Sequence, residues 1–239
     1  MSEIAILMAA GLGTRMLPLT QKTPKPLIPV LGKPMIETVI EGLKKRGVGK
    51  IIVVVGHLGE QFHYLVEKYE SITIVENTDY QTINNISSIY AVSEELINAK
   101  SDCFICEADL YIRDSSLFEC PLDHSCYFGK MVNGHSEDWV FDTDNAGRIT
   151  RVGKGGTDCF NMVGVSWFTM KDAQLLGRLI QDEYGREGYE SKFWDDVVND
   201  NLEALDLNVH EILPDQMSEI DTLSELAEID NIYSKVTRN

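Results

Sequence analysis

Apolar and polar positions follow a regular rhythm through the first half of the chain. Ile4–Met8 is an unbroken apolar run of strand length, the pattern of a strand buried on both faces. Met35, Ile36, Val39, Ile40 and Leu43 then recur at helical spacing, and Gly47 stops that helix. Ile51–Val55 predicts a second buried strand, Gln61–Tyr69 a second helix and Ile72–Val75 a third strand. Ser87–Ile97 predicts a third helix and Cys103–Cys106 a fourth strand. Strands too apolar to expose a face, alternating with helices, predict an α/β fold with a mostly parallel sheet covered by helices. Ligands then belong at the carboxyl ends of the strands.

The rhythm changes after residue 112. Ser125–Val132, Trp139–Asp142, Arg148–Val152 and Met162–Phe168 read as antiparallel strands, separated by turn residues at Asn133-Gly134, Asp144-Asn145 and Gly153/Gly155/Gly156. Helices follow at Asp172–Tyr184 and Phe193–Leu202, then a strand at Leu207–Leu213. Thr222–Asp230 closes the pattern as a helix, with Thr222 and Glu225 spaced as a capping box. No repeat or flexible linker divides the chain. The expectation is one domain over 1–239, with a parallel half at 1–112 and a second half at 113–239 that carries an inserted antiparallel lobe.

The 239 residues are 44% hydrophobic and 25% charged, with a net charge of −17, the composition of a globular chain. That acidity argues against a protein that coats nucleic acid. It leaves room for a nucleotide pocket, where a few basic groups outweigh the global field. The longest early apolar run, Ile4–Ala10, is too short to span a bilayer, so no membrane insertion is expected. Five scattered cysteines, an odd number, predict a reduced, cytoplasmic protein. Cys103 and Cys106 form a CxxC, but on a strand they point to opposite faces, and no second pair or flanking His makes a zinc site.

The most informative stretch is residues 7–27, LMAAGLGTRMLPLTQKTPKPL. A buried strand runs into Ala9-Ala10-Gly11-Leu12-Gly13-Thr14-Arg15, whose small residues let backbone N–H groups approach a polyanion. Met16 stands where a dinucleotide fingerprint needs its third glycine, and no Gly-Lys-Ser/Thr follows as in a Walker loop. AAGxGTR followed by Pro24-Lys25-Pro26 instead resembles the nucleotidyltransferase family. The resemblance continues through Gly32-Lys33-Pro34-Met35-Ile36, Gly56-His57, Glu107-Ala108-Asp109, Gly164-Val165-Ser166 and Glu219-Ile220-Asp221, and so spans the chain. Asn84–Tyr90, Glu137-Asp138-Trp139 and Phe193-Trp194-Asp195-Asp196 look most like the bacterial choline-phosphate cytidylyltransferases.

The resemblance implies a Rossmann-like sheet, CTP as donor, a small amine bearing a phosphate or phosphonate as acceptor, and Mg2+. It implies Arg15 at the β/γ-phosphates, Lys25 at the α-phosphate, and Asp109 with Asp221 as the metal pair. The loop Ala9, Ala10, Gly11, Gly13 and Thr14, with Asn85 and Ser88, would hold the nucleotide, although Asn85 also suits a helix cap. Trp139, Tyr189 and Trp194 would face the acceptor cation, with Asp195 beside them and Lys154 at the acceptor phosphate. Each tryptophan is equally readable as core.

Phosphocholine is the acceptor this resemblance favours. Ile86, where the subfamily would carry an aromatic residue, and the acids beside both tryptophans favour 2-aminoethylphosphonate instead, whose primary ammonium seeks hydrogen-bond acceptors. A sugar 1-phosphate is a third reading. A non-catalytic nucleotide-binding regulator is a fourth, against which Arg15, Lys25, Asp109 and Asp221 stand together. A homodimer is left open.

Overall fold

The computed structural model describes residues 2–238. Its strands are β1 (Ile4–Ala9), β2 (Pro29–Val30), β3 (Lys33–Pro34), β4 (Lys50–Val55), β5 (Ile72–Glu76), β6 (Cys103–Glu107), β7 (Leu110–Ile112), β8 (Cys126–Thr143), β9 (Ile149–Phe168), β10 (Asn208–Glu211) and β11 (Met217–Glu219). The α-helices are α1 (Met35–Arg46), α2 (Tyr64–Lys68), α3 (Ile86–Tyr90), α4 (Ser93–Ile97), α5 (Met170–Glu183), α6 (Trp194–Asn199) and α7 (Leu223–Ile229).

The period-2 geometry of the central strands explains the layers. On β1, Ala5, Leu7 and Ala9 join one apolar cluster, while Ile6 joins another on the opposite face. On β4, Ile51, Val53 and Val55 divide from Ile52 and Val54 in the same way. Both faces therefore need cover. Helix α1 supplies Ile36, Val39, Ile40 and Leu43 to the first face. Helices α3, α4 and α5 supply Ile89, Leu96 and Leu176 to the second. Helix α1 ends as its pattern predicts, on left-handed Gly47 at φ 95°, whose N–H donates to the carbonyls of Leu43 and Lys44.

The main sheet has seven strands in the order β10-β8-β9-β6-β1-β4-β5. Pairs β6-β1-β4-β5 are parallel, whereas β9 joins β6 antiparallel. The antiparallel segment departs from its expected form. The four expected strands merge into two long, bent ones, β8 and β9, broken by register shifts. Asn133-Gly134 and Gly153/Gly155/Gly156 lie within these strands; only Asp144-Asn145 is a chain reversal, closed by the Gly147 N–H on the Asp144 carbonyl at 3.0 Å. Glycine-rich positions here bend strands rather than end them. The helix expected over Ser87–Ile97 is likewise interrupted between α3 and α4.

Two features position the ligand-binding end of the sheet. Strands β7 and β11 pair antiparallel, with Glu219 opposite Leu110, so the chain after β11 returns beside the end of β6. A third apolar cluster, including Met16, Ile28, Val30, Met35, Ile220 and Leu226, fastens the glycine-loop region to that late segment. The capping box of α7 forms as read: Glu225 N–H donates to Thr222 Oγ1, and Thr222 N–H donates to Glu225 Oε2. Among the described residues no helix is long and apolar enough to cross a membrane.

Candidate active site

A cleft of about 680 Å3 opens where β1 and β6 end, lined first by Ala9, Ala10, Gly11, Gly13 and Thr14. Gly13 is left-handed at φ 62°, and a Cβ there would lie 2.8 Å from Thr20 Cγ2 and 3.1 Å from Lys25 Cβ. Glycine is thus required twice over, by backbone and by space. The loop is braced from behind. Thr20 Oγ1 donates to the Gly13 carbonyl at 2.9 Å, His57 Nε2 lies 2.7 Å from the Thr20 carbonyl, and the His57 N–H donates to Ala10. His57 therefore supports the loop and does not line the cleft.

Asp109 and Asp221 meet at one point. Lys25 Nζ lies 2.5 Å from Asp109 Oδ2 and 2.5 Å from Asp221 Oδ1, and Arg15 Nη2 lies 2.9 Å from that same Asp221 oxygen. Burial alone would pull the Lys25 pKa down; the two carboxylates more than offset it and hold the ammonium charged. Arg15 is the opposite case, with a side chain 68% exposed at the rim. Asp221 is steadied by its own N–H, which donates to Glu225 Oε2 at 2.8 Å. Two further acids line the same wall. Burial, then the charges of Asp109 and Glu219, push the Glu107 carboxyl well above its usual range. Burial, then Asp109 and Asp221, push Glu219 up to about 8.

Asn85 and Ser88 also reach the cleft. Ser88 Oγ accepts from Asn77 Nδ2 at 3.2 Å. The Asn85 side chain does not cap α3, which it precedes; its Oδ1 accepts from the N–H of Trp194, the first residue of α6, at 3.0 Å, and so caps that helix from outside and ties α3 to α6. Ile86 is fully buried in the core, so its lack of an aromatic ring does not bear on the acceptor by contact.

At the far wall stand Glu137, Asp138, Trp139, Lys154 and Phe193. Trp139 and Phe193 pack edge to face at 5.2 Å, and Lys154 Nζ lies 5.9 Å and 5.5 Å from their ring centroids. This aromatic pair already carries a cation. Asn161 Nδ2 donates to Asp138 Oδ2 at 3.0 Å and orients that carboxylate.

Three expected acceptor residues lie elsewhere. Trp194 is 3% exposed and stacks on Tyr127 at 5.7 Å, inside the core. Asp195 is buried behind the cleft, accepts from the Tyr127 hydroxyl at 3.0 Å, and has its pKa pushed up to about 7, chiefly by burial. Tyr189 packs on Tyr184 at 4.8 Å in a separate aromatic cluster and does not line the cleft. Phe193, passed over in the sequence for its neighbours, lines the cleft instead. Its signal was present: Trp194, Val197 and Val198 fall at i, i+3 and i+4, the spacing of a core stripe, which leaves Phe193 outside that stripe. The five cysteines are all free, and Cys103 and Cys106 are buried strand residues.

Residues 4–124 match the nucleotidyl transferase family model. The chain is 52% identical over 235 residues to a 2-aminoethylphosphonate cytidylyltransferase of Lancefieldella rimae, covering 98% of this chain and 95% of that one. It is 34% identical to the choline-phosphate cytidylyltransferase of Streptococcus pneumoniae, covering 95% and 97%. This chain belongs to the nucleotidyltransferase family. A solved structure of the CTP:phosphocholine cytidylyltransferase from Streptococcus pneumoniae superposes with a TM-score of 0.88 at 34% identity, covering 97% of this nucleotidyltransferase and 99% of that protein.

The family implies a divalent cation, and the donor set fits one. Asp109 Oδ1 is buried without a hydrogen-bond partner among the described residues, and Lys25 joins Asp109 to the second carboxylate, Asp221. Magnesium takes one or two carboxylates and completes its shell with substrate oxygens and water. Among the described residues no group of three or more His, Cys, Asp or Glu side chains makes a full protein cage. Two carboxylates facing an open cleft suit a cation that arrives with a nucleotide, not a structural metal.

Proposed function

We propose that this nucleotidyltransferase transfers CMP from CTP to 2-aminoethylphosphonate, giving the CMP-phosphonate and pyrophosphate. The observation that carries the reading is the 52% identity, end to end, with a cytidylyltransferase of that name, against 34% with the choline-phosphate enzyme. The cleft supports it. Asp138 lines the cleft with the aromatic pair, its carboxylate held by Asn161, and Glu137 lines it too, with its carboxylate exposed and paired with His135; a primary ammonium needs hydrogen-bond acceptors that a trimethylammonium cannot use.

The chemistry follows from charge. An acceptor of this type is already anionic near pH 7, so one of its oxygens attacks the α-phosphorus with no general base, and pyrophosphate leaves in line. The chain's work is positioning and neutralisation. The glycine-loop N–H groups cradle phosphates, with Arg15 at the rim meeting the departing pyrophosphate. Lys25, a buried cation of the cleft, meets the α-phosphate, where negative charge shifts during transfer. Asn85 and Ser88 offer the cytosine ring short polar partners. Lys154 meets the phosphonate, and Asp138 with Glu137 the ammonium. Magnesium, held by Asp109 and Asp221, would supply Lewis-acid neutralisation between nucleotide and acceptor.

The test is pyrophosphate release from CTP and magnesium against 2-aminoethylphosphonate, phosphocholine, phosphoethanolamine and glucose 1-phosphate. The expected result is a kcat/KM for 2-aminoethylphosphonate on the order of a hundredfold above that for phosphocholine. A preference for phosphocholine overturns the acceptor assignment; no release with any acceptor overturns the enzyme.

A further inference from the structure

Behind the cleft floor lies a second, much smaller recess of about 10 Å3. It shares Glu107 and Met162 with the cleft and is closed by Tyr127, Ser166, Trp194 and Asp195. The Trp194 indole N–H in its wall is completely buried and has no hydrogen-bond partner among the described residues, in a residue only 3% exposed. An unmade hydrogen bond of this kind costs about 1–3 kcal/mol, so a partner is expected.

The donors and acceptors of the recess define that partner. Trp194 Nε1 can only donate. Asp195, which also lines the recess, accepts from the Tyr127 hydroxyl at 3.0 Å and keeps further lone pairs. Glu107 makes no side-chain hydrogen bond among the described residues, and it packs against Gly164, where a Cβ would lie 3.1 Å from Glu107 Oε2. The Ser166 hydroxyl is already committed as a donor to the Ile105 carbonyl at 3.0 Å. The missing group must accept from Trp194 Nε1 and suit two carboxyls, each of which accepts when ionised and also donates when protonated, in a volume that holds about one solvent molecule. An ammonium cannot accept, and an anion such as chloride is repelled by the acids. Water fits both protonation states.

We propose that one ordered water links the Trp194 indole N–H to the carboxyls of Asp195 and Glu107, making Trp194 and Asp195 positioning residues for Glu107 at the cleft floor. The link runs Tyr127–Asp195–water–Glu107, with Trp194 as the donor that holds the water. Within this proposal Glu107, which lines the cleft, faces the acceptor, so Trp194 acts on the reaction although its ring never touches substrate. The Trp194 backbone N–H also holds Asn85 at 3.0 Å, so one residue sets both a nucleotide-side and a floor-side group. The inference rests on the acceptor reading of the cleft only for its kinetic arm; the water itself does not depend on which acceptor is used.

The experiment pairs a structural and a kinetic readout on the full chain. In a high-resolution crystal structure of the substrate-free protein, density for one water within hydrogen-bond distance of Trp194 Nε1 and both carboxyls is expected. Trp194→Phe keeps the ring packing and removes the donor. It should lose that density and raise the acceptor KM about fivefold or more, with the CTP KM changed less than twofold, for whichever acceptor the enzyme turns over. Asp195→Asn, which retains an acceptor for Tyr127, should produce the same split and serves where Trp194→Phe does not fold. A recess with no water in the wild type, or equal KM changes for both substrates, overturns the proposal. Failure of the acceptor assignment would change the substrate in the assay and leave the density result untouched.

Discussion

Lys25 and Asp221, from opposite ends of the chain, meet at 2.5 Å, and the same ammonium holds Asp109 at 2.5 Å. The glycine-loop region, the end of β6 and the segment after β11 are thereby tied through one buried cation. The apolar cluster of Met16, Ile28, Met35 and Ile220 beneath it explains why the acids arrive there. The contact joins the phosphate side of the cleft to its metal side.

Asp109→Asn tests the metal side. It preserves shape and one oxygen while removing a charge that a divalent cation requires. Turnover should fall by about 10²–10³-fold, the scale for losing one fixed group that stabilises transition-state charge. The thermal midpoint should move by only a few degrees, because Lys25 keeps Asp221 as a partner. Activity within threefold of wild type, at saturating magnesium, would remove Asp109 from the metal pair.

Lys25→Met tests the phosphate side. A group acting where charge shifts contributes more to kcat than to ground-state binding. The expected result is a kcat lower by about 10²-fold or more with the CTP KM changed less than fivefold. A pure rise in KM would place Lys25 on the β/γ-phosphates instead.

Much of this was legible in the chain, for identifiable reasons. The strands of the parallel core announce themselves because Ile4–Met8 and Ile51–Val55 must satisfy apolar environments on both faces. The glycine loop is legible because a backbone cradle tolerates few residues, and Gly13 has no room for a side chain. Strands β7 and β11 were not legible. Three residues carry no periodicity, and their pairing is fixed by neighbours distant in sequence. The bends of β8 and β9 look like turns in the sequence because glycine serves both, and register over so long a hairpin is set by cross-strand contacts. Residue type alone points Trp194 and Tyr189 at the acceptor, whereas burial is decided by helix phase, which puts Phe193 in the cleft and Trp194 in the core.

Away from the cleft, Glu3 and Arg46 form a mostly buried lock. Arg46 Nε and Nη2 donate to the two Glu3 oxygens at 2.6 and 2.8 Å, and Arg46 Nη1 donates to the carbonyls of Phe118 and Cys120. Trp167 Nε1 adds a third donor to Glu3 at 2.9 Å. Glu3→Ala leaves Arg46 Nε and Nη2 and the Trp167 indole N–H without their carboxylate, while Arg46 Nη1 keeps its two carbonyls. The expected loss is about 3 kcal/mol in chemical denaturation, the scale for breaking one side of a buried pair. Kinetic constants at 25 °C should remain at wild-type values, since neither residue lines the cleft. A stability change below about 0.5 kcal/mol would reduce the lock to an ordinary surface pair.

Asp195 provides a pH signature. Its carboxyl is raised from 3.8 to about 7, first by burial and against the opposing hydrogen bond from Tyr127. Between those two values the native state keeps a proton that the unfolded chain has released. Native protons exceed unfolded protons in that window, so this group's contribution to stability is full below pH 4 and is lost as pH rises through 7. Asn at this position carries no such proton and should remove that slope. The quantity to measure is the stability difference between Asp195→Asn and wild type in urea, from pH 4 to pH 8, where titrations common to both proteins cancel. It should shift in favour of the variant by a few kcal/mol on the order implied by a displacement of this size. A difference that stays flat across the range would mean that Asp195 is charged in the fold throughout and that its buried surroundings solvate it fully.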